Sequence, residues 1–202
     1  MDADSFNYLG ICITTEGGAE RDIKVWLGKA RSAFIRLGST WKTTAFSKKT
    51  KLKLYNSYVL YVLLYRSECW RMTDTYINRL SSFHNTCPNN IMKIFWPNTI
   101  SNKDLHDITN TKDMDTLLIQ KIWWWLGHVL RKPSEDMTKV ALRETPEGKR
   151  KRGRPNPTWR RTIENEIKER GYTWGTIERN ANNREEWRKL VLALCAMRHS
   201  ND

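Results

Sequence analysis

The sequence predicts a mainly α protein: a short N-terminal β-strand or hairpin, a helical bundle, a basic linker and a small C-terminal three-helix unit. Three observations carry that expectation. Apolar residues recur at helical spacing along most of the 202 residues, whereas period-two alternation is seen only near the start. The segment 133–156 is poor in apolar residues and rich in charge and proline, which marks a linker. A hydrophobic fraction of 39% with ten tryptophans is enough to build buried cores and too much for a disordered tail. The expected segments are 1–18 (strand and turn), 19–132 (helical region), 133–156 (linker) and 157–202 (C-terminal helical unit).

The elements follow in order. Phe6, Tyr8 and the run Leu9 to Ile13 alternate like a strand and end in a turn at Gly17-Gly18. The period then becomes helical, with Trp26, Ala30, Ala33, Phe34, Leu37 and Trp41 on one stripe. Ser47 is placed to cap a second helix carrying Leu54, Tyr55, Tyr58, Val59, Val62 and Leu63, so apolar that burial on several sides is expected, Tyr58 included. A third helix starts after Thr73 and runs through Leu80, Phe83 and Cys87, where Pro88 is expected to interrupt or kink it. Ser101-x-x-Asp104 is a capping box, and Asp113 to Arg131 forms a further helix with Trp125 on its apolar stripe and Trp123 and Trp124 off it. Beyond the linker come a helix from Thr158 to Arg170 ended by Gly171, a turn or short helix from Thr173, and a helix from Arg184 to Met197 begun by Asn182-x-x-Glu185.

Charge points to a polyanion. Lys and Arg number 35 against 22 Asp and Glu, a net charge of +13, and such a field favours nucleic acid or an anionic surface. The densest part is Lys149, Arg150, Lys151, Arg152 and Arg154, followed by Arg160 and Arg161, with no acid between Gly148 and Arg161. Arg152-Gly153-Arg154-Pro155 reads either as a flexible basic linker touching phosphates or as an AT-hook seated in a narrow minor groove; the linker is the better supported of the two. Lys149 to Arg152 also fits a nuclear-import signal. Lys29, Arg31, Arg36, Lys42, Lys48, Lys49, Lys51 and Lys53 flank the apolar stripes and would either line a groove that binds a nucleic-acid backbone or form solvated helix faces. Nothing comparable suggests other chemistry. His84 and Cys87 are half a metal site at best, so neither metal nor cofactor is expected. The longest apolar run, Val59 to Tyr65, is too short to span a bilayer, no leader opens the chain, and four scattered cysteines indicate reduced thiols. A soluble intracellular protein is expected, with nucleic acid as partner and neither a membrane nor a small-molecule substrate. The triplet Trp123-Trp124-Trp125 could stack on bases, but packing against the preceding helices is the favoured expectation.

Several strings in this order resemble one family. F-x-Y-L-G at Phe6 to Gly10, G-G-A-E-x-D-I at Gly17 to Ile23 and G-K-A-R-x-A-F at Gly28 to Phe34 are followed by T-K-L-K-L-Y-N-S at Thr50 to Ser57 and L-L-Y-x-x-E-x-W at Leu63 to Trp70. F-H-N-x-C at Phe83 to Cys87, W-x-W-L-G-H-V-L-R at Trp123 to Arg131 and G-K-R-K-R-G-R-P at Gly148 to Pro155 complete the set. Together they resemble the C-terminal part of non-LTR retrotransposon reverse transcriptases, especially the RTE-like kind. The resemblance implies that 1–18 is the last palm strand, that 19–132 is a thumb-like bundle holding template and primer, and that the catalytic palm with its paired aspartates lies upstream. On that reading the chain itself lacks polymerase and nuclease activity, has no catalytic residues, and grips DNA, RNA or a hybrid duplex in target-primed reverse transcription, in the nucleus. Two positions depart from the family pattern. Arg66 stands where Y-G-C-E-T-W has glycine, and Cys87-Pro88-Asn89-Asn90-Ile91 stands where C-L-R-R-I is usual. The alternatives are a stand-alone DNA-binding or protein-interaction module on the terminal helices, or an inert relic of a degenerate element.

Overall fold

A computed structural model describes residues 5–8, 11–14, 19–70, 72–143 and 159–198. The architecture is mainly helical, and the chain divides into two compact units, Met1–Leu117 and Leu118–Asp202. The division falls inside a helix, upstream of the segment 133–156. Among the described residues no helix is long and apolar enough to cross a membrane.

In the first unit the backbones of Ser5–Tyr8 (β1) and Ile11–Thr14 (β2) pair antiparallel, Ser5 opposite Thr14. Helix α1, Ala19–Arg36, carries Glu20 and Asp22 in its first turn and Arg36 in its last, matching the helix dipole at both ends. It buries Ile23, Trp26, Leu27, Ala30 and Ala33. The stripe expected to run on to Trp41 is broken at Leu37, and a separate short helix, α2, spans Gly38–Lys42. Ser47 caps α3, Lys48–Leu54, by accepting from the Thr50 N–H.

From Tyr55 to Leu60 the same rod is π-helical before α4, Tyr61–Leu63, resumes the α pattern. The wider turn lets the buried face slip: Tyr55, Val59, Leu60, Leu63 and Leu64 point inward. Tyr58, expected in the core, is therefore 45% exposed. Ser67–Cys69 forms a 3-10 turn before Trp70, which is buried.

Helix α5, Asp74–Met92, runs unbroken through Pro88. The ring removes an N–H that would bond the His84 carbonyl, at a cost of about 3 kcal/mol. His84, Cys87, Pro88 and Ile91 all lie on the buried face, and that burial outweighs the loss. Ser101 caps α6, Asn102–Thr109, accepting from the Asp104 N–H and donating to its carboxylate.

Helix α7, Met114–Leu130, passes from the first unit into the second. In the second unit a short helix, α8, Met137–Arg143, occupies part of the segment expected to be a linker; Asp136 accepts from the Thr138 N–H at its start and Leu142 is buried. Three helices follow: α9 (Trp159–Glu169), α10 (Trp174–Asn182) and α11 (Arg184–Arg198). Gly171, at φ 72°, supplies the left-handed turn after α9, and Thr173 caps α10. The cap of α11 is Asn183, whose side chain accepts from the Glu185 and Glu186 N–H groups, one residue later than the Asn182 that the spacing suggested. The cap and first residue expected for α9, Asn156 and Pro157, lie outside the described residues.

The tryptophan triplet differs most from expectation. Trp123, off the predicted stripe, is 1% exposed, while Trp124 is 55% exposed. Trp123 is covered by the C-terminal helices: its indole N–H donates to the Glu166 carboxylate at 3.1 Å, its ring lies 5.9 Å from that of Trp187, and its carbonyl accepts from the Trp187 indole at 3.1 Å. Trp125 meets Trp159 edge to face at 5.6 Å. These rings are structural, and α7 from Leu118 onward shares its core with α9 and α11.

Candidate nucleic-acid interface

The first unit holds a stretch with one sign of charge. Between Asp22 and Glu68 there is no carboxylate, while Lys24, Lys29, Arg31, Arg36, Lys42, Lys48, Lys49, Lys51, Lys53 and Arg66 occur. Sequence reasoning by helical stripe missed this length; counting acids along the chain finds it. The helices put most of these cations in water because the apolar stripes of α1 and α3 face inward. Lys29, Arg31, Arg36, Lys42, Lys48, Lys49 and Lys53 are exposed. Lys24 is paired with Glu20 at 2.8 Å across one helical turn.

Lys51 does not belong to that surface. It is 5% exposed, and its ammonium donates to the carbonyls of Trp41 at 2.9 Å and Thr43 at 2.6 Å. Those carbonyls stand at and just after the C-terminal end of α2, where orphan acceptors and the negative end of the dipole draw a cation inward. Lys51 is thus a cap for α2, and a phosphate ligand no longer.

Arg160 is likewise engaged within its unit, bonding Glu164 at 2.9 Å and the Arg143 carbonyl at 2.8 Å. Arg161 is exposed at the start of α9. Lys149, Arg150, Lys151, Arg152 and Arg154, with the hook-like Arg152-Gly153-Arg154-Pro155, lie outside the described residues.

Aromatic side chains are interleaved with the cations. Lys29 Nζ sits 3.7 Å from the centre of the Trp26 ring, Trp26 packs on Tyr65 with ring centres 4.5 Å apart, and the Arg66 guanidinium is 5.4 Å from the Tyr65 ring. Tyr58 and Tyr61 are exposed on the same rod. Beside them a shallow open groove is lined by Thr50, Lys53, Leu54, Asn56 and Ser57.

Arg66 also has an unusual backbone conformation. Its φ is 60°, in the left-handed region, where a side chain is strained and glycine is not. Arg66→Gly should raise the stability of the first unit by about 0.5–1 kcal/mol, once the extra freedom glycine gives the unfolded chain is subtracted. Urea unfolding measures this; an unchanged or lower midpoint would mean that the contact with Tyr65 offsets the strain.

His84 and Cys87 do not form half a metal site. His84 is fully buried, with Nε2 2.9 Å from the Lys112 carbonyl and Nδ1 2.8 Å from the Tyr55 hydroxyl. A carbonyl only accepts, so Nε2 carries the hydrogen and Nδ1 accepts from Tyr55. Burial lowers the His84 pKa to about 4 and pushes the Cys87 thiol up to about 12, so both are neutral and unreactive at pH 7. Among the described residues no three His, Cys, Asp or Glu side chains are placed to hold a metal.

No protein-family model matches the chain, and no solved structure does. The chain is 24% identical over 203 residues to a protein of Caenorhabditis elegans described as a putative uncharacterized transposon-derived protein; the match covers 94% of this chain and 71% of the relative.

Proposed function

We propose that this chain is a transposon-derived, non-catalytic nucleic-acid-binding segment whose helical first unit grips a phosphate backbone. The carboxylate-free stretch from Ile23 to Ser67, with its exposed lysines and arginines on α1 and α3, is the observation that carries the reading. The likeness to a transposon-derived protein supports it. So does the resemblance of the ordered motifs to the region following the palm of non-LTR reverse transcriptases, on which the segment would hold template and primer or nicked target DNA in the nucleus. Chemistry in such an element would belong to a palm on another part of the polyprotein, with no cofactor held here.

Binding of labelled duplex DNA, RNA–DNA hybrid and single strands across a salt series tests this. Affinity should fall steeply with salt, and replacing Lys48, Lys49 and Lys53 by glutamine should lower the slope of log affinity against log salt by about one per lysine that meets a phosphate. Absence of binding even at low salt would overturn the reading. A preference for hybrid would favour the template–primer role. A·T-selective DNA binding lost in Arg154→Ala would favour the hook and a stand-alone DNA-binding module.

A further inference from the structure

Three tyrosines stand in water on one rod. Tyr58, Tyr61 and Tyr65 are 45%, 64% and 37% exposed, while Tyr55, Val59, Leu60, Leu63 and Leu64 on the other side of the rod are buried. The N–H of Leu64 bonds the Leu60 carbonyl and that of Tyr65 bonds the Val62 carbonyl, so the coil persists past α4 to Tyr65, whose ring rests on Trp26. The three tyrosines span about 10 Å at 1.5 Å per residue. The π-helical turn sets this pattern: it directs Val59 and Leu60 together inward and leaves Tyr58 outside.

The surroundings of the rings choose their occupant. An exposed apolar strip of this kind could meet another protein, but the whole stretch from Ile23 to Ser67 lacks a carboxylate. At one end of the row Lys53 lines the open groove with Asn56 and Ser57. At the other, Arg66 lies over Tyr65, and Tyr65 packs on Trp26 beneath Lys29. Rings between cations, with amide and hydroxyl groups alongside, match a strand that offers alternating bases and phosphates. A duplex offers no base faces to such a row.

We propose that Tyr58, Tyr61 and Tyr65 form a stacking platform for two or three unpaired bases of a single-stranded nucleic acid, with Lys53 at one end and Lys29 and Arg66 at the other holding its phosphates. The proposal deepens the reading above and rests on it.

The test is the full chain with Tyr58→Ala and Tyr61→Ala together, binding a labelled twelve-nucleotide oligothymidine, the matching oligouridine and a blunt duplex. Both tyrosines are exposed, so the fold should persist, which circular dichroism checks. Single-strand affinity should fall tenfold or more, with the salt slope unchanged because no charge is removed. Duplex affinity should hold, and Tyr58→Phe with Tyr61→Phe should bind like the parent. The platform is refuted if the alanine variant keeps its single-strand affinity, if it loses duplex binding in equal measure, or if its only change is loss of self-association in solution. Parent protein that binds duplex but not single strands would overturn the platform and leave the backbone grip standing; parent protein that binds neither would overturn both.

Discussion

Gly127→Ala will cost the second unit about 2–3 kcal/mol, although alanine is the better helix former by roughly 1 kcal/mol. Gly127 lies inside α7, and a Cβ built on it would enter the indole of Trp187 at Nε1, Cε2 and Cδ1. The indole has little room to retreat. Trp187 is 4% exposed, and its N–H is committed to the Trp123 carbonyl. A methyl group must either break that buried hydrogen bond or push α11 away from α7. Urea unfolding followed by tryptophan fluorescence reads the loss. Gly127→Ala combined with Trp187→Leu should lose much less than the sum of the two single changes, because the smaller side chain vacates the space the methyl needs. Additive losses would show that the glycine serves some other purpose.

The stability of the first unit will fall by about 3 kcal/mol between pH 6.5 and pH 4 because of His84. In the unfolded chain a histidine takes its proton near pH 6.5, whereas burial delays this in the fold to about 4. Between those values the unfolded state binds more protons, so stability is flat above pH 7, declines through the window and levels off below it. The bond to the Lys112 carbonyl opposes the shift, as does the charge of Asp113, while the charge of His106, whose ring centre is 5.5 Å away, acts in the same direction as burial. Asp136, whose bonds to Thr138 and Lys132 hold it at about 2, titrates below the window and lies in the other unit. Urea midpoints at pH 7.5 and pH 4.5 measure the drop. His84→Gln, which keeps a donor for the Lys112 carbonyl, should remove most of the difference; an undiminished difference in that variant would assign the effect elsewhere.

What the sequence could reveal was local. Ser47 and Ser101 are legible as caps because each bonds an N–H three residues on, and Gly171 because its conformation is its own. Partners distant along the chain were not legible. Lys51 looks like any surface lysine until α2 turns two carbonyls towards it. Trp123 lies off the stripe of its own helix and is buried because α9 and α11 close over it. Pro88 breaks a rule of isolated helices that burial overrides. Tyr58 reads as core in the sequence because no single residue announces the π-helical turn that shifts the periodicity. Of the candidate interface, the exposed cations of α1 and α3 can be named from sequence, but their separation from the buried Lys51 requires the fold.

The bond from the Trp187 indole to the Trp123 carbonyl joins residues 64 positions apart. At about 5–20 residues per second, a ribosome needs roughly 3–13 seconds to make the chain between them. Throughout that interval α7 has neither the indole that seats against Gly127 nor the carboxylate of Glu166 for much of the time, and its tryptophans stand open. The second unit therefore cannot close helix by helix as it emerges. A copy of the gene carrying a stop codon ahead of Trp187 would yield an aggregation-prone remnant of this unit, whatever the state of the first.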